Sequence, residues 1–261
     1  MSVIGNAQIV RKYSNEFLNI GAGARGLAMG GAVISNQNDV YAPMWNPAGL
    51  TEVESDWQGA AMHAEYFESI AKYDYISFTK ALDSKDGVLG ISIVRLGVDN
   101  ILNTTQMIDS EGNIDYDKIS KFSTSDYAGI ISYAFRPGGN QKLSVGINAK
   151  IVYRNIGKFA NGFGFGFDVG TIYRADSGYQ FGAMLRDATT TVNFWSINQK
   201  ELSAVVNGEE FNPAPKDKME ITMPKLNLGV SKNFEINRDL ELLPEAGLNV
   251  DFAKTAAVIS T

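Results

Sequence analysis

The feature that most constrains this chain is strict two-residue alternation held over segments longer than an ordinary globular strand. Between 142 and 154, Leu143, Val145, Ile147, Ala149, Ile151 and Tyr153 share one face, while Lys142, Ser144, Asn148, Lys150 and Arg154 share the other. Between 162 and 174, Phe163, Phe165, Phe167, Val169 and Tyr173 oppose Gly162, Gly164, Gly166, Asp168 and Arg174. The same pattern recurs at 179–187, 226–236 and 240–252, and more weakly at 57–67, 73–82, 87–97 and 127–136. This makes about nine strands with no convincing long helix. Several are long enough to meet the roughly 9–11 residues a tilted strand needs to cross a bilayer. The reading is an all-β chain forming an antiparallel transmembrane β-barrel.

Composition agrees and removes alternatives. Twenty-six glycines and 11% aromatic residues suit glycine-punctuated strands. No stretch approaches the roughly 18 consecutive apolar residues of a spanning helix, which excludes a helical membrane protein and leaves a barrel open, because strands hide their apolar face in alternation. A net charge of −6 argues against a nucleic-acid partner. Without cysteine there is no disulfide, thiolate nucleophile or Cys-bound metal. The single histidine, His63, cannot build a His-rich zinc site, and no cofactor is expected.

Loop lengths give an independent test, because a membrane barrel has short turns at one end and longer loops at the other. The connections 83–87, 137–141, 175–178 and 237–239 are tight and made of turn residues. The long connections 98–126 and 188–225, and the intermediate one at 155–161, all leave odd-numbered strands. The tight turns are therefore expected on the periplasmic side and the long loops outside. Tyr153, Tyr173 and Tyr179 fall at strand ends, where aromatic girdles lie. A soluble β-sandwich also alternates but predicts no such asymmetry. About nine strands leave an open edge; Ala257-Val258-Ile259-Ser260-Thr261 looks like a strand beginning, so further C-terminal strands are expected. Residues 1–8 read either as the remnant of a secretory signal, with a small-residue cleavage site near Ala7, or as an ordinary N-terminus.

Residues 17–50 lack alternation and are rich in small residues. They contain Gly21-Ala22-Gly23-Ala24-Arg25-Gly26-Leu27-Ala28-Met29-Gly30-Gly31-Ala32 and Trp45-Asn46-Pro47-Ala48-Gly49-Leu50. No Gly-Lys-Ser/Thr follows the glycine run, which sets aside a phosphate loop. Together the two runs resemble the PorV/PorQ family of Bacteroidetes outer-membrane proteins, related to the FadL-like fatty acid transporters. That resemblance implies a barrel of 14 strands with an N-terminal hatch inside the lumen, here roughly residues 9–55, followed by barrel strands from 56 to 261. Gly21, Gly23, Arg25, Gly26, Gly30, Gly31, Trp45, Asn46 and Pro47 then form the structural hatch motif, with Arg25 pairing with lumen carboxylates or carbonyls.

No nucleophile with a matching base is visible, so no catalytic residue is assigned and an enzyme is not expected. His63 and Glu65 share a face of the first strand and are expected to point into the lumen. Lys150, Arg154, Asp168, Arg174 and Arg186 also read as lumen charges. Loop 188–225 carries Phe194, Trp195, Ile197 and Phe211, apolar enough for a docking surface, or for a self-packed cover over the barrel mouth. The resemblance implies a protein of the bacterial outer membrane, embedded in its lipid, that serves type IX secretion by binding translocon components or the C-terminal domains of exported cargo. The alternatives are a FadL-like channel for hydrophobic molecules and a structural barrel without transport.

Overall fold

The computed structural model describes residues 15–82, 87–109, 111–206, 209–211, 218–252 and 257–260; for 204–206, 209–211 and 257–260 only the backbone is described. The expected signal remnant at 1–8, hatch residues 9–14 and turn residues 83–86 lie outside these, as does the side chain of Phe211. The wall strands are β1 (Trp57–Tyr66), β2 (Ala71–Ala81), β3 (Gly87–Asn103), β4 (Ser120–Phe135), β5 (Leu143–Ile156), β6 (Ala160–Arg174) and β7 (Tyr179–Arg186). After β7 come β8 (Thr191–Ile197), β9 (Ala204–Val206), β10 (Glu209–Phe211) and β11 (Met219–Thr222). The chain returns in β12 (Lys225–Lys232), makes a hairpin of β13 (Phe234–Asn237) and β14 (Leu240–Leu242), and continues as β15 (Glu245–Asp251) and β16 (Ala257–Ser260).

All pairings are antiparallel, and β1 to β7 pair in sequence order, followed by β12, β15 and β16. β1 and β16 stand at the two edges, so the sheet is not closed. The pairing of β16 agrees with the strand expected at 257–261.

The sheet is inside out relative to a soluble protein. Its polar face is the buried one: Ser92, Ser132, Ser144, Asn148, Lys150 and Asp168 are all buried. Its apolar face is the exposed one, with Ile91 58%, Ile131 59%, Ile151 55% and Phe165 51% accessible. Apolar side chains left facing outward over many adjacent strands are stable only where the surroundings are themselves apolar. The buried face wraps residues 15–53, which form two short helices, α1 (Ala24–Ala28) and α2 (Ala42–Trp45), and two 3-10 turns at Glu16–Asn19 and Pro47–Glu52. Phe17, Leu18, Val33, Met44 and Trp45 of this plug pack on Tyr73, Tyr75, Val94, Ile130 and Val152 of the wall.

Two expected long loops are shorter than the alternation suggested. β3 runs to Asn103 and β4 starts at Ser120, so the loop is 104–119 rather than 98–126. A bulge between Val98 and Ile101 shifts the register and hides the continued strand from a simple period-two reading. The loop is organised by Asp109, whose carboxylate accepts from Glu111 N, Asn113 N and Asn113 Nδ2; the Asn113 bonds hold its carboxyl below the usual carboxylate range. In 188–225, segments 191–197 and 219–222 are wall strands, with β8 pairing both β6 and β11.

β6 changes partner along its length, and the change distorts the wall. Val169 pairs with Leu185 of β7, whereas Phe165 pairs with Val192 of β8. Residues 166–168 therefore face the longer stretch 186–191. Asp187 and Thr190 accommodate the excess with left-handed φ of 53° and 64°. The bulge turns inward, leaving Arg186, Asp187 and Thr191 buried.

Candidate functional site: the plug and the wall that holds it

The Trp-Asn-Pro motif locks one half of the plug. The Trp45 indole sits in a hollow left by Gly21, Gly26 and Gly31, and a Cβ on Gly26 would lie 2.6 Å from its Cε2. Its Nε1 donates to Ala22 O at 2.7 Å. Gly21 and Gly31 have φ of +82° and +84°, a conformation that costs L side chains and not glycine. Gly23 lies against the Tyr41 ring, whereas a Cβ on Gly30 would meet open space, so that glycine serves its φ of +60° alone. Asn46 Nδ2 donates to Ile34 O and to Thr171 O of β6, and its Oδ1 accepts from Ala48 N. Pro47 and Ala48 press on Gly146, and Asn46 and Pro47 on Gly170, so closely that a Cβ on either wall glycine would overlap the motif. Arg25 donates to the backbone carbonyl of Asn36 at 2.9 Å, within the plug.

The inward bulge carries a buried charge cluster. Lys150 Nζ lies 2.7 Å from Asp168 Oδ1 and 2.6 Å from Asp187 Oδ1. Asp168 also accepts from Asp187 N and Asn148 Nδ2, and Asn148 Nδ2 reaches Pro43 O at 2.8 Å. Arg186 Nη1 donates to Leu18 O and Asn19 Oδ1, and its Nη2 to Met44 O. Two cations and two carboxylates make the cluster electrically balanced, the condition for holding ions away from water. Lys150 and Asp168 both lie on the buried face of the sheet. Asp187 was not anticipated; its only sequence signal is the adjacent opposite charge at the end of an apolar run.

Three further contacts pin the plug or line the interior. Glu52 bridges Arg136 at 2.7 Å and Arg174 at 2.6 Å. Glu245 accepts from Ser35 N and Oγ. Arg154 pairs with Asp126, lies 5.2 Å from the Trp195 ring, and shares Glu220 with the Trp195 Nε1 donor. Trp195 therefore belongs to the interior and not to a docking loop; Phe194 points outward at 52% exposure from the same strand, and Ile197 ends it. Phe194, Trp195 and Ile197, read as a loop surface, belong to β8.

His63 and Glu65 correct the lumen expectation. In β1 the inward residues are Met62, Ala64 and Tyr66, which pack on the plug core, with Met62 Sδ accepting from Gly23 N. His63 and Glu65 face outward, 55% and 46% accessible at the side chain. His63 Nδ1 contacts Asp74 Oδ1 at 2.6 Å, and Arg95 Nη1 reaches Asp74 Oδ2 at 2.9 Å. Inward Tyr73 and Tyr75 fix the parity, because Met62 pairs with Tyr75 and Ala64 with Tyr73.

Between plug and wall lies a cavity of about 500 Å³, lined by Ile20, Leu27, Ile34, Trp45 and Val250 together with Arg186, Lys225, Asn227 and Asn249. It borders α1 and the Gly30–Gly31 turn on the plug side and β12 and β15 on the wall side. Among the described residues no group of three or more His, Asp or Glu side chains could hold a metal ion.

No family model matches the sequence, and no curated protein matches it. The fold is similar to the crystal structure of the Pseudomonas putida toluene transporter TodX, with a TM-score of 0.53 at 13% identity over 88% of this chain and 69% of that one. A TodX deltaS2S3 mutant, described as a monoaromatic hydrocarbon channel, aligns over 81% of this chain and 66% of that one at 12% identity, with a TM-score of 0.49. At such identity the likeness is one of fold.

Proposed function

We propose that this chain is an outer-membrane β-barrel protein that admits small hydrophobic molecules past a wall-bound plug. The observation that carries this reading is the inside-out sheet, apolar toward its surroundings and polar toward a plug that leaves a cavity of about 500 Å³. The fold likeness to a protein described as a toluene transporter supports it. The part-apolar cavity suits an uncharged guest, since the Arg186 guanidinium is spent on three plug acceptors and Lys225 is paired with Glu16. No chemistry is assigned to the site.

Flotation with outer-membrane vesicles tests the barrel, and toluene uptake by cells carrying the chain tests the channel. We expect flotation and several-fold faster toluene entry than in cells without it. The double variant G146V/G170V, which pushes wall side chains into the Pro47–Ala48 seat, should also admit polar solutes that the wild type excludes. Recovery in the soluble fraction would sink the barrel, and unchanged toluene entry would sink the channel.

A second reading places the chain in type IX secretion. It rests on the resemblance of the hatch motif and on apolar exposure at the loop end, where Phe67, Leu102, Ile114 and Tyr116 are open. Copurification with translocon components or with C-terminal domains of exported proteins would favour it over uptake.

A further inference from the structure

The outward face of the first three strands carries a strip of charge that the plug, the cavity and the channel do not use. Cross-strand register makes it continuous. His63 pairs with Asp74, Asp74 with Arg95, and Arg95 with Tyr127; one step nearer the loops, Glu65 pairs with Lys72 and Lys72 with Gly97. Asp99 joins through Lys72, 3.1 Å away. All six ionisable side chains are 31–55% accessible on the outward face of the sheet.

The neighbouring rows fix the depth of the strip. One step toward the tight turns the row is Ala61, Ile76, Ile93, Gly129, Ile151 and Phe165, apolar throughout. In the strip's own two rows the later strands present Tyr127, Tyr153 and Phe163, then Ser125, Asn155 and Asn161. Aromatic residues followed by small polar ones mark the rim of a lipid-facing band. Arg95 leans toward that rim: its guanidinium covers Gly97, where a Cβ would lie 2.7 Å from Nη2. A charged side chain that bends along the strand toward the polar edge is snorkelling.

Exposed ion pairs contribute little to folding, so wall stability does not account for a charged strip confined to β1–β3 where β4–β6 carry tyrosine, phenylalanine and amides. We propose that the strip binds the headgroup of a zwitterionic phospholipid, with Lys72 and Arg95 on the phosphodiester and Glu65, Asp74 and Asp99 on a primary ammonium. Charge complementarity selects this occupant. The strip presents both signs within one side chain's reach, as a phosphoethanolamine group does; an anionic headgroup alone would face three carboxylates, and a quaternary ammonium offers them no N–H donor. Ala61, Ile76 and Ile93 then lie along the acyl chains. The inference rests on the membrane-barrel reading.

The test inserts the full chain into vesicles of equal parts phosphatidylethanolamine, phosphatidylcholine and phosphatidylglycerol with identical acyl chains, then identifies the lipids retained on gentle extraction by native mass spectrometry. Flotation of the vesicles reports the barrel independently of lipid choice. We expect retained phosphatidylethanolamine to exceed either competitor by about three-fold or more, to fall to the bulk ratio in K72Q/R95Q, and to stay unchanged in K142Q at the opposite end. Should K72Q/R95Q fail to insert, raising the salt on wild type decides, because contacts at this exposure are screened. Bulk-ratio retention by wild type, a preference for phosphatidylglycerol, salt-insensitive enrichment, or crosslinking of two copies through β1–β3 would each overturn the proposal.

Discussion

Replacing Lys150 with methionine is expected to cost about 3–5 kcal/mol of wall stability, the magnitude for removing one partner from a buried ion cluster. The substitution leaves Asp168 and Asp187 facing each other without the ammonium that touches both. Neither can turn to water, because both side chains are about 5% accessible. The strain falls on the bulge at 187–190, whose left-handed residues are held by the same contacts: Asp187 N donates to Asp168, and Thr191 Oγ1 donates to Asp187 Oδ1. Urea unfolding in lipid vesicles measures the loss, and the neutral triple variant K150M/D168N/D187N should recover most of it. Equal stability of wild type and the single variant would show that the cluster does not hold the bulge.

Trp45→Ala is expected to remove about 3–5 kcal/mol from plug seating, as for a large buried aromatic truncated in a packed site. The indole fills the hollow among Gly21, Gly26 and Gly31 and satisfies Ala22 O, so its removal opens a cavity and orphans an acceptor at once. The reverse intrusion, G26V, should produce the same phenotype by overlap with the ring. Limited proteolysis reads the effect: cleavage within 15–53 should rise sharply while β1 to β7 remain protected. Unchanged protection of the plug in both variants would mean that the wall contacts of Arg186, Glu245 and Asn46 suffice without the tryptophan.

Much of this architecture is legible in the amino-acid sequence. β5 and β6 alternate between bulky apolar and small or charged residues, so their two faces can be drawn, and the structure buries the face that carries Lys150 and Asp168. The glycine run and the Trp-Asn-Pro run pointed to a compact segment, and the structure joins them into one object because the glycines are the hollow that the indole fills. β1 was harder. Gly59 and Ala61 on one face and Ala60, Met62 and Ala64 on the other differ too little in polarity to decide which side is buried, and the two polar residues, His63 and Glu65, favoured the wrong one. The decision is made by Tyr73 and Tyr75 across the strand pair, which pack on the plug and carry Met62 and Ala64 inward with them.

Read along the chain alone, the residues specify the strand period, the two chemical faces of the best strands, the tight turns and the distinct character of residues 17–50. Those are local properties, carried by neighbours within a dozen or so positions along the chain. Only the tertiary structure decided which face of β1 looks outward, that the apolar run 191–197 is wall rather than loop, and that Lys150, Asp168 and Asp187 meet at one bulge. The physical reason is common to all three. A period of two defines a pair of faces without saying what covers either, and a balanced buried cluster draws its charges from strands whose register is set only when the sheet has wrapped its plug.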